Sequence, residues 1–187
     1  MEEKENKPWR PELEVSNKAT IEELKFVFEQ VKKRVEETAK EGDDLYSKSF
    51  SIVLVTTSLL TGTIGFLLSN ISTKASTFIA LVIAIILVVI LSTIRDAIAI
   101  LHYRSSGTPA SYLLVKDFYE NLEEGKTPEW YMVMREVIRY EERLTLNADN
   151  NVKRIKKIEY CYRLFYAIPV ASLITWFVYL FFSTVTL

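Results

Sequence analysis

The side chains able to do chemistry in this 187-residue chain are few and far apart: one histidine, His102, and one cysteine, Cys161. A Ser-His-Asp set would have to be built on His102, yet no Gly-x-Ser-x-Gly elbow, Walker loop or metal-ligand spacing accompanies it. His102 therefore reads as a polar residue at an interface. Cys161 stands alone, which excludes an internal disulfide framework and any thiolate metal cluster supplied by one chain. Most carboxylates alternate with Lys or Arg, as on a solvated helix face. These residues point away from catalysis, and no cofactor is expected. A lipid-facing enzyme built on His102 and interfacial carboxylates is the weakest of the functional readings.

The more informative polar residues are hydroxyls and glycines set within an apolar stretch. Thr61, Gly65 and Ser69 recur every four residues, and Ser58 with Gly62 forms a second pair of small residues at the same spacing. On a helix this places Ser58, Thr61, Gly62, Gly65 and Ser69 on one side, where another backbone can approach closely. Two uses fit such a face. It packs against other helices of the same chain, or it forms a hydroxyl-lined wall of an oligomeric pore, replacing part of an ion's hydration.

The elements that must position these residues are membrane spans. Ala75 to Ile94 is a run of 20 uncharged residues, long enough as a helix to cross the roughly 30 Å hydrocarbon layer. Phe50 to Ser69 and Leu164 to Thr184 are also uncharged and long enough. Hydrophobic residues make up 49% of the chain and charged residues 25%, ordinary totals that hide strong segregation: Phe50 to Ile94 contains only Lys74 as a charge.

The net charge is −1, with 23 basic residues scattered among 24 acidic ones, so no basic field exists to hold a nucleic acid polymer. The scarcity of charge within the spans also argues against a proton-coupled transporter. The acidic first residues lack a basic leader with a short apolar core, so insertion is expected to rely on the spans themselves.

Lys and Arg near the span ends set orientation. Lys32, Lys33, Arg34, Lys40 and Lys48 precede the first span, Arg95 and Arg104 follow the second, and Lys153, Arg154, Lys156, Lys157 and Arg163 precede the third. Three alternating crossings with a cytosolic N-terminus and an outside C-terminus satisfy every flank. Arg95 with Asp96 reads as a snorkelling anchor.

Between and before the spans the pattern is helical. Thr20 and Glu23 have the spacing of a capping box. Ile21, Leu24, Phe28, Val31 and Val35 then recur every three or four residues. Gly42 and Asp43 suggest a break before the first span. Ser105 to Pro109 reads as a turn, Tyr112 to Leu122 as an amphipathic helix, and Thr127 with Pro128 as the start of another helix. In that helix Trp130, Val133, Val137, Tyr140 and Leu144 continue a heptad-like seam. The cytosolic association seam is thus Ile21, Leu24, Phe28, Val31, Val35, Trp130, Val137 and Leu144, pairing with itself or with another subunit.

Asn147, Asp149, Asn150 and Asn151 interrupt the second seam and read as a kink or exposed turn, because Asn and Asp compete for local backbone bonds. The alternative is a set of amides offered to a cytosolic ligand. The neighbouring Lys153, Arg154, Lys156 and Lys157 read as a membrane-surface basic collar facing anionic headgroups. Pro169 is expected to kink the third span.

The order of a cytosolic amphipathic helix, a tight two-span hairpin and further helices beginning HYRSSGTPASYLLVKDFYENLEE resembles the SLATT-type two-transmembrane effectors of bacterial anti-phage systems. The later segment NADNNVKRIKKIEYCYRLFYAIPVASLI, a polar helix running into a last span, is similar to the membrane effector of Pycsar systems. The resemblance is architectural and covers the chain from Thr20 onward. It implies a protein kept inert until a cyclic-nucleotide signal or a soluble sensor partner reports infection, which then assembles in the inner membrane and depolarises it.

The expected protein is therefore an all-α integral membrane protein with three transmembrane helices. A flexible arm at 1–19 leads into a cytosolic amphipathic helix at 20–48, a transmembrane hairpin at 49–104 with spans at 50–69 and 75–94, a cytosolic helical region at 105–163 and a third transmembrane helix at 164–187. Its partners are the lipid bilayer and further copies of itself. The leading functional expectation is a homo-oligomeric effector that permeabilises the membrane. The alternative is a non-enzymatic adaptor that recruits a soluble partner through its cytosolic helices.

Overall fold

Four helices account for nearly all of the described residues in the computed structural model, which are 18–69, 74–100, 117–120 and 125–185. They are α1 (Ile21–Ser69), α2 (Lys74–Ile98), the short α3 (Asp117–Glu120) and α4 (Pro128–Val185). There is no strand among the described residues. Helices α1, α2 and α4 are each long and apolar enough to cross a membrane. The expectations for the N-terminal arm before Lys18, the hairpin tip, His102, Arg104, the turn at 105–109 and most of the 112–122 helix lie outside the described residues.

Both long helices start where the sequence supplies a cap. The Thr20 hydroxyl oxygen accepts from the Glu23 amide at 3.3 Å, and the Glu23 carboxylate accepts from the Thr20 amide at 2.8 Å, so two otherwise unpaired groups satisfy each other. At α4 the Thr127 hydroxyl accepts from the Trp130 amide at 3.2 Å, with Pro128 in the first turn, where its missing N–H costs nothing.

Two expectations about helix ends are corrected. Helix α1 runs unbroken for 49 residues through Gly42 and Asp43. Glycine disfavours a helix interior by only about 1 kcal/mol, and Gly42 falls on the buried side of α1, where packing offsets that cost. Helix α4 likewise runs unbroken for 58 residues through Asn147 to Asn151 and through Pro169. The asparagines do not turn the backbone, because Asn147 and Asn151 are buried and the Asn151 amide is bonded to another helix.

The chain divides into two compact units. The first takes the described residues up to Asp43 and those between His102 and Asn151. Here the N-terminal parts of α1 and α4 lie parallel: Trp130 Nε1 donates to the Ala19 carbonyl at 2.9 Å, the rings of Phe28 and Tyr140 meet edge to face at 5.2 Å, and Asn151 reaches Thr38. Val31, Val35, Tyr140 and Leu144 form the core, with Phe28 against it.

The second unit comprises Asp44–Leu101 and Val152–Leu187. Its core joins Leu45 and Ile52 of α1 with Leu87, Ile90, Ile94 and Ala97 of α2 and Ile158 and Cys161 of α4. Helices α2 and α4 run antiparallel, since Ala97 meets Arg154 while Ile90 meets Cys161 further along. Buried positions follow alternating steps of three and four along α4, namely 137, 140, 144, 147 and 151 in the first unit and 154, 158 and 161 in the second, the spacing of a helix face that packs in each.

Candidate functional site

Among the described residues, none covers the small-residue face of α1. Ser58, Thr61, Gly62, Gly65 and Ser69 are all exposed, and a Cβ added at Gly62 or Gly65 would meet no atom within 4 Å. Of the two uses open to this face, packing within the chain is not seen among the described residues. The exposed hydroxyls of Thr61 and Ser69 donate back to the carbonyls of Thr57 and Gly65 at 2.9 and 2.8 Å, which hides their polarity without a tertiary partner. Ser58 and Gly62 border an open groove of about 460 Å³ whose other wall is Ser76, Ile79 and Ala80 of α2. The hydroxyls that do face the helix core are different ones. Ser49 and Thr56 are buried and donate to the carbonyls of Leu45 and Ile52 at 2.9 and 2.6 Å.

The seam residues sit inside the first unit. Leu24, Val31, Val35, Trp130, Val137 and Leu144 are buried, and Ile21 and Phe28 are half-buried. Of the two partners the sequence left open, α1 and α4 of the same chain take each other. This occupies the surface that would otherwise join subunits. Lys25 and Glu129 flank it with an exposed ion pair at 2.7 Å. That carboxylate raises the Lys25 ammonium above its ordinary value, while the Thr20 amide holds the Glu23 carboxyl below its own.

The basic collar is corrected at one position. Lys153 and Lys156 are exposed, and Lys157 pairs with Asp96 at 3.3 Å. Arg154, however, is fully buried. Its Nε donates to the Ala97 carbonyl at 3.0 Å and its Nη2 to the Ile100 carbonyl at 2.6 Å, where α2 ends and its last carbonyls lack helical partners. Residue type pointed to the membrane surface. Spacing held the contrary signal, because 147, 151 and 154 continue the steps that join Tyr140 and Leu144 to Ile158 and Cys161.

Asn151 is the other buried polar group with a defined role. Its Nδ2 donates to the Thr38 carbonyl at 3.0 Å and to Glu41 Oε2 at 3.2 Å, while its Oδ1 has no partner. At 2% exposure this amide is not offered to a cytosolic ligand. Cys161 is buried, its Sγ 3.8 Å from the Ile90 carbonyl oxygen. No group of three or more His, Cys, Asp or Glu that could hold a metal occurs among the described residues.

No known protein family matches the chain, and neither a curated protein nor a solved structure shows significant similarity to it.

Proposed function

We propose that this protein is a homo-oligomeric membrane effector that permeabilises the bilayer, with the Ser58, Thr61, Gly62, Gly65 and Ser69 face of α1 as the surface on which copies associate. One observation carries the reading: this face remains uncovered after α1, α2 and α4 have packed, although its residues are those that permit close helix approach. The seams of the first unit are already occupied within the chain, so association is assigned to α1 in the second unit. The defence setting, the inner membrane and the cyclic-nucleotide or sensor trigger rest on the architectural resemblance alone.

The test is a double substitution, Gly62→Leu with Gly65→Leu. A Cβ added at either position meets nothing within 4 Å, and both positions are exposed, so the substitutions are directed at the outer surface of α1. Helix content and bilayer insertion should be retained, while dye release from liposomes should fall by about tenfold or more, as loss of some 1.4 kcal/mol of association would produce. Unchanged release would remove this face from the mechanism.

A further inference from the structure

Among the described residues, which at this end run to Ile100, helix α2 has no left-handed residue of its own to close its C-terminus. The exit Arg95-Asp96-Ala97-Ile98-Ala99-Ile100 has neither Gly nor Asn, and the one positive φ among the described residues is at Gly125. The usual left-handed cap is therefore absent from this end. The Ala97 and Ile100 carbonyls are instead taken by Arg154, 57 and 54 residues further along the chain. A cation here meets the negative end of the α2 dipole. Its planar fork also fixes direction as well as distance.

The rest of the α2–α4 contact is of another kind. Ile90, Ile94 and Ala97 pack with Ile158 and Cys161 through apolar surface, whose driving force is non-directional. Lys157 and Asp96 add an ion pair that is partly exposed and correspondingly weak. Arg154 adds a buried, directional contact between the two helices. A buried guanidinium is an unusual choice for a static fastener, because its desolvation offsets much of what its bonds contribute. Outside the core, water or headgroup phosphates would accept from the same fork.

We propose that Arg154 is a releasable latch. While it caps α2, α4 is held in register on α2; when it withdraws, the last turn of α2 loses its cap and α4 is free to shift. That this release opens the permeabilising state rests on the proposed function, whereas the latch itself does not.

The test uses the full chain carrying Asp96→Cys and Lys157→Cys, which set two partly exposed thiols opposite each other across the α2–α4 contact, reconstituted in phosphatidylethanolamine and phosphatidylglycerol liposomes. The rate of crosslinking by a short bifunctional thiol reagent reports α2–α4 register. Adding Arg154→Gln should lower that rate by about tenfold or more, the scale of losing a charge-assisted hydrogen bond, with helix content retained. Arg154→Lys should give a smaller loss, since it keeps the charge but not the two-carbonyl fork. A parental rate in Arg154→Gln overturns the latch. If that variant fails to insert, a parental rate in Arg154→Lys overturns it equally. Crosslinked protein should release less encapsulated dye than the uncrosslinked form, and equal release would show that unlatching is not the opening step. Dye release absent from the parent under every lipid composition would count against the permeabilising function, while the crosslinking comparison would still decide the latch.

Discussion

Asn151 donates its side-chain amide to the Thr38 carbonyl at 3.0 Å across the α1–α4 seam, and the same nitrogen reaches Glu41 Oε2 at 3.2 Å. An amide that donates twice and accepts nothing is asymmetric: its Oδ1 is buried without a partner. The position therefore tolerates a donor better than an acceptor.

Arranged this way, the site should reject a carboxylate. Asn151→Asp would face the Thr38 carbonyl and the Glu41 carboxylate with acceptors only, and should destabilise the first unit by about 2–4 kcal/mol near neutral pH. Acidification should restore part of the loss as the new carboxyl takes a proton. Asn151→Leu removes the unpartnered oxygen together with the donor and should cost far less. Thermal unfolding of the three proteins in detergent at two pH values decides this, and equal melting of the Asp and Leu variants would contradict the assignment.

The interior position of the α1 seam makes a different prediction. Val35 is fully buried against a core that includes Tyr140 and Leu144, so Val35→Ala should cost about 2 kcal/mol through lost burial and the cavity left behind. Oligomer mass in mild detergent should not change, because this surface already has its partner within the chain. A variant with normal melting but reduced oligomer mass would show that the seam joins subunits.

Much of this arrangement was legible from spacing, and where it was not, residue type had misled. Leu24, Val31, Val35, Val137 and Leu144 announce a buried face because they are apolar and correctly spaced. Asn147, Asn151 and Arg154 occupy the same spacing but look like a break followed by a surface collar. Asn151 and Arg154 are bonded there to Thr38, Ala97 and Ile100, partners 54 to 113 residues away that no local pattern reveals. Gly42 fails for a related reason: it suggests a helix end in isolation, yet lies on a packed side of a continuous helix. The exposed glycines show the reverse limit, since the spacing of Gly62 and Gly65 predicts close approach without saying which helix approaches.

The start of α1 should respond to pH at both extremes. Glu23 is held below its ordinary value of 4.5 mainly by the Thr20 amide, so its contribution is present above that value and lost as pH falls through the lowered one. Lys25 is raised above 10.5 by hydrogen bonding to Glu129, so its contribution is complete below 10.5 and lost as pH rises through the raised value. Amide exchange over residues 20–28, corrected for intrinsic rates, should show fraying at each extreme. Glu23→Gln should remove the acid effect and spare the alkaline one, whereas equal loss of both would rule out separate origins.

Orientation can be read with a single introduced thiol. Native Cys161 is buried and should react slowly, so Glu120→Cys, at an exposed position of α3, supplies a distinct fast-labelling site without further changes. Basic residues before α2's apolar stretch are nearly absent, whereas Lys40 and Lys48 precede the apolar part of α1 and Lys153, Lys156 and Arg163 precede that of α4, an imbalance from which a cytosolic side is expected for these flanks. Position 120 lies in the stretch between the second and third candidate spans and should share that side. A membrane-impermeant maleimide should therefore label Glu120→Cys in inverted vesicles and leave it unlabelled in intact cells. Labelling from outside intact cells would reverse the assigned orientation, and equal labelling on both sides without permeabilisation would mean that the chain does not hold one topology.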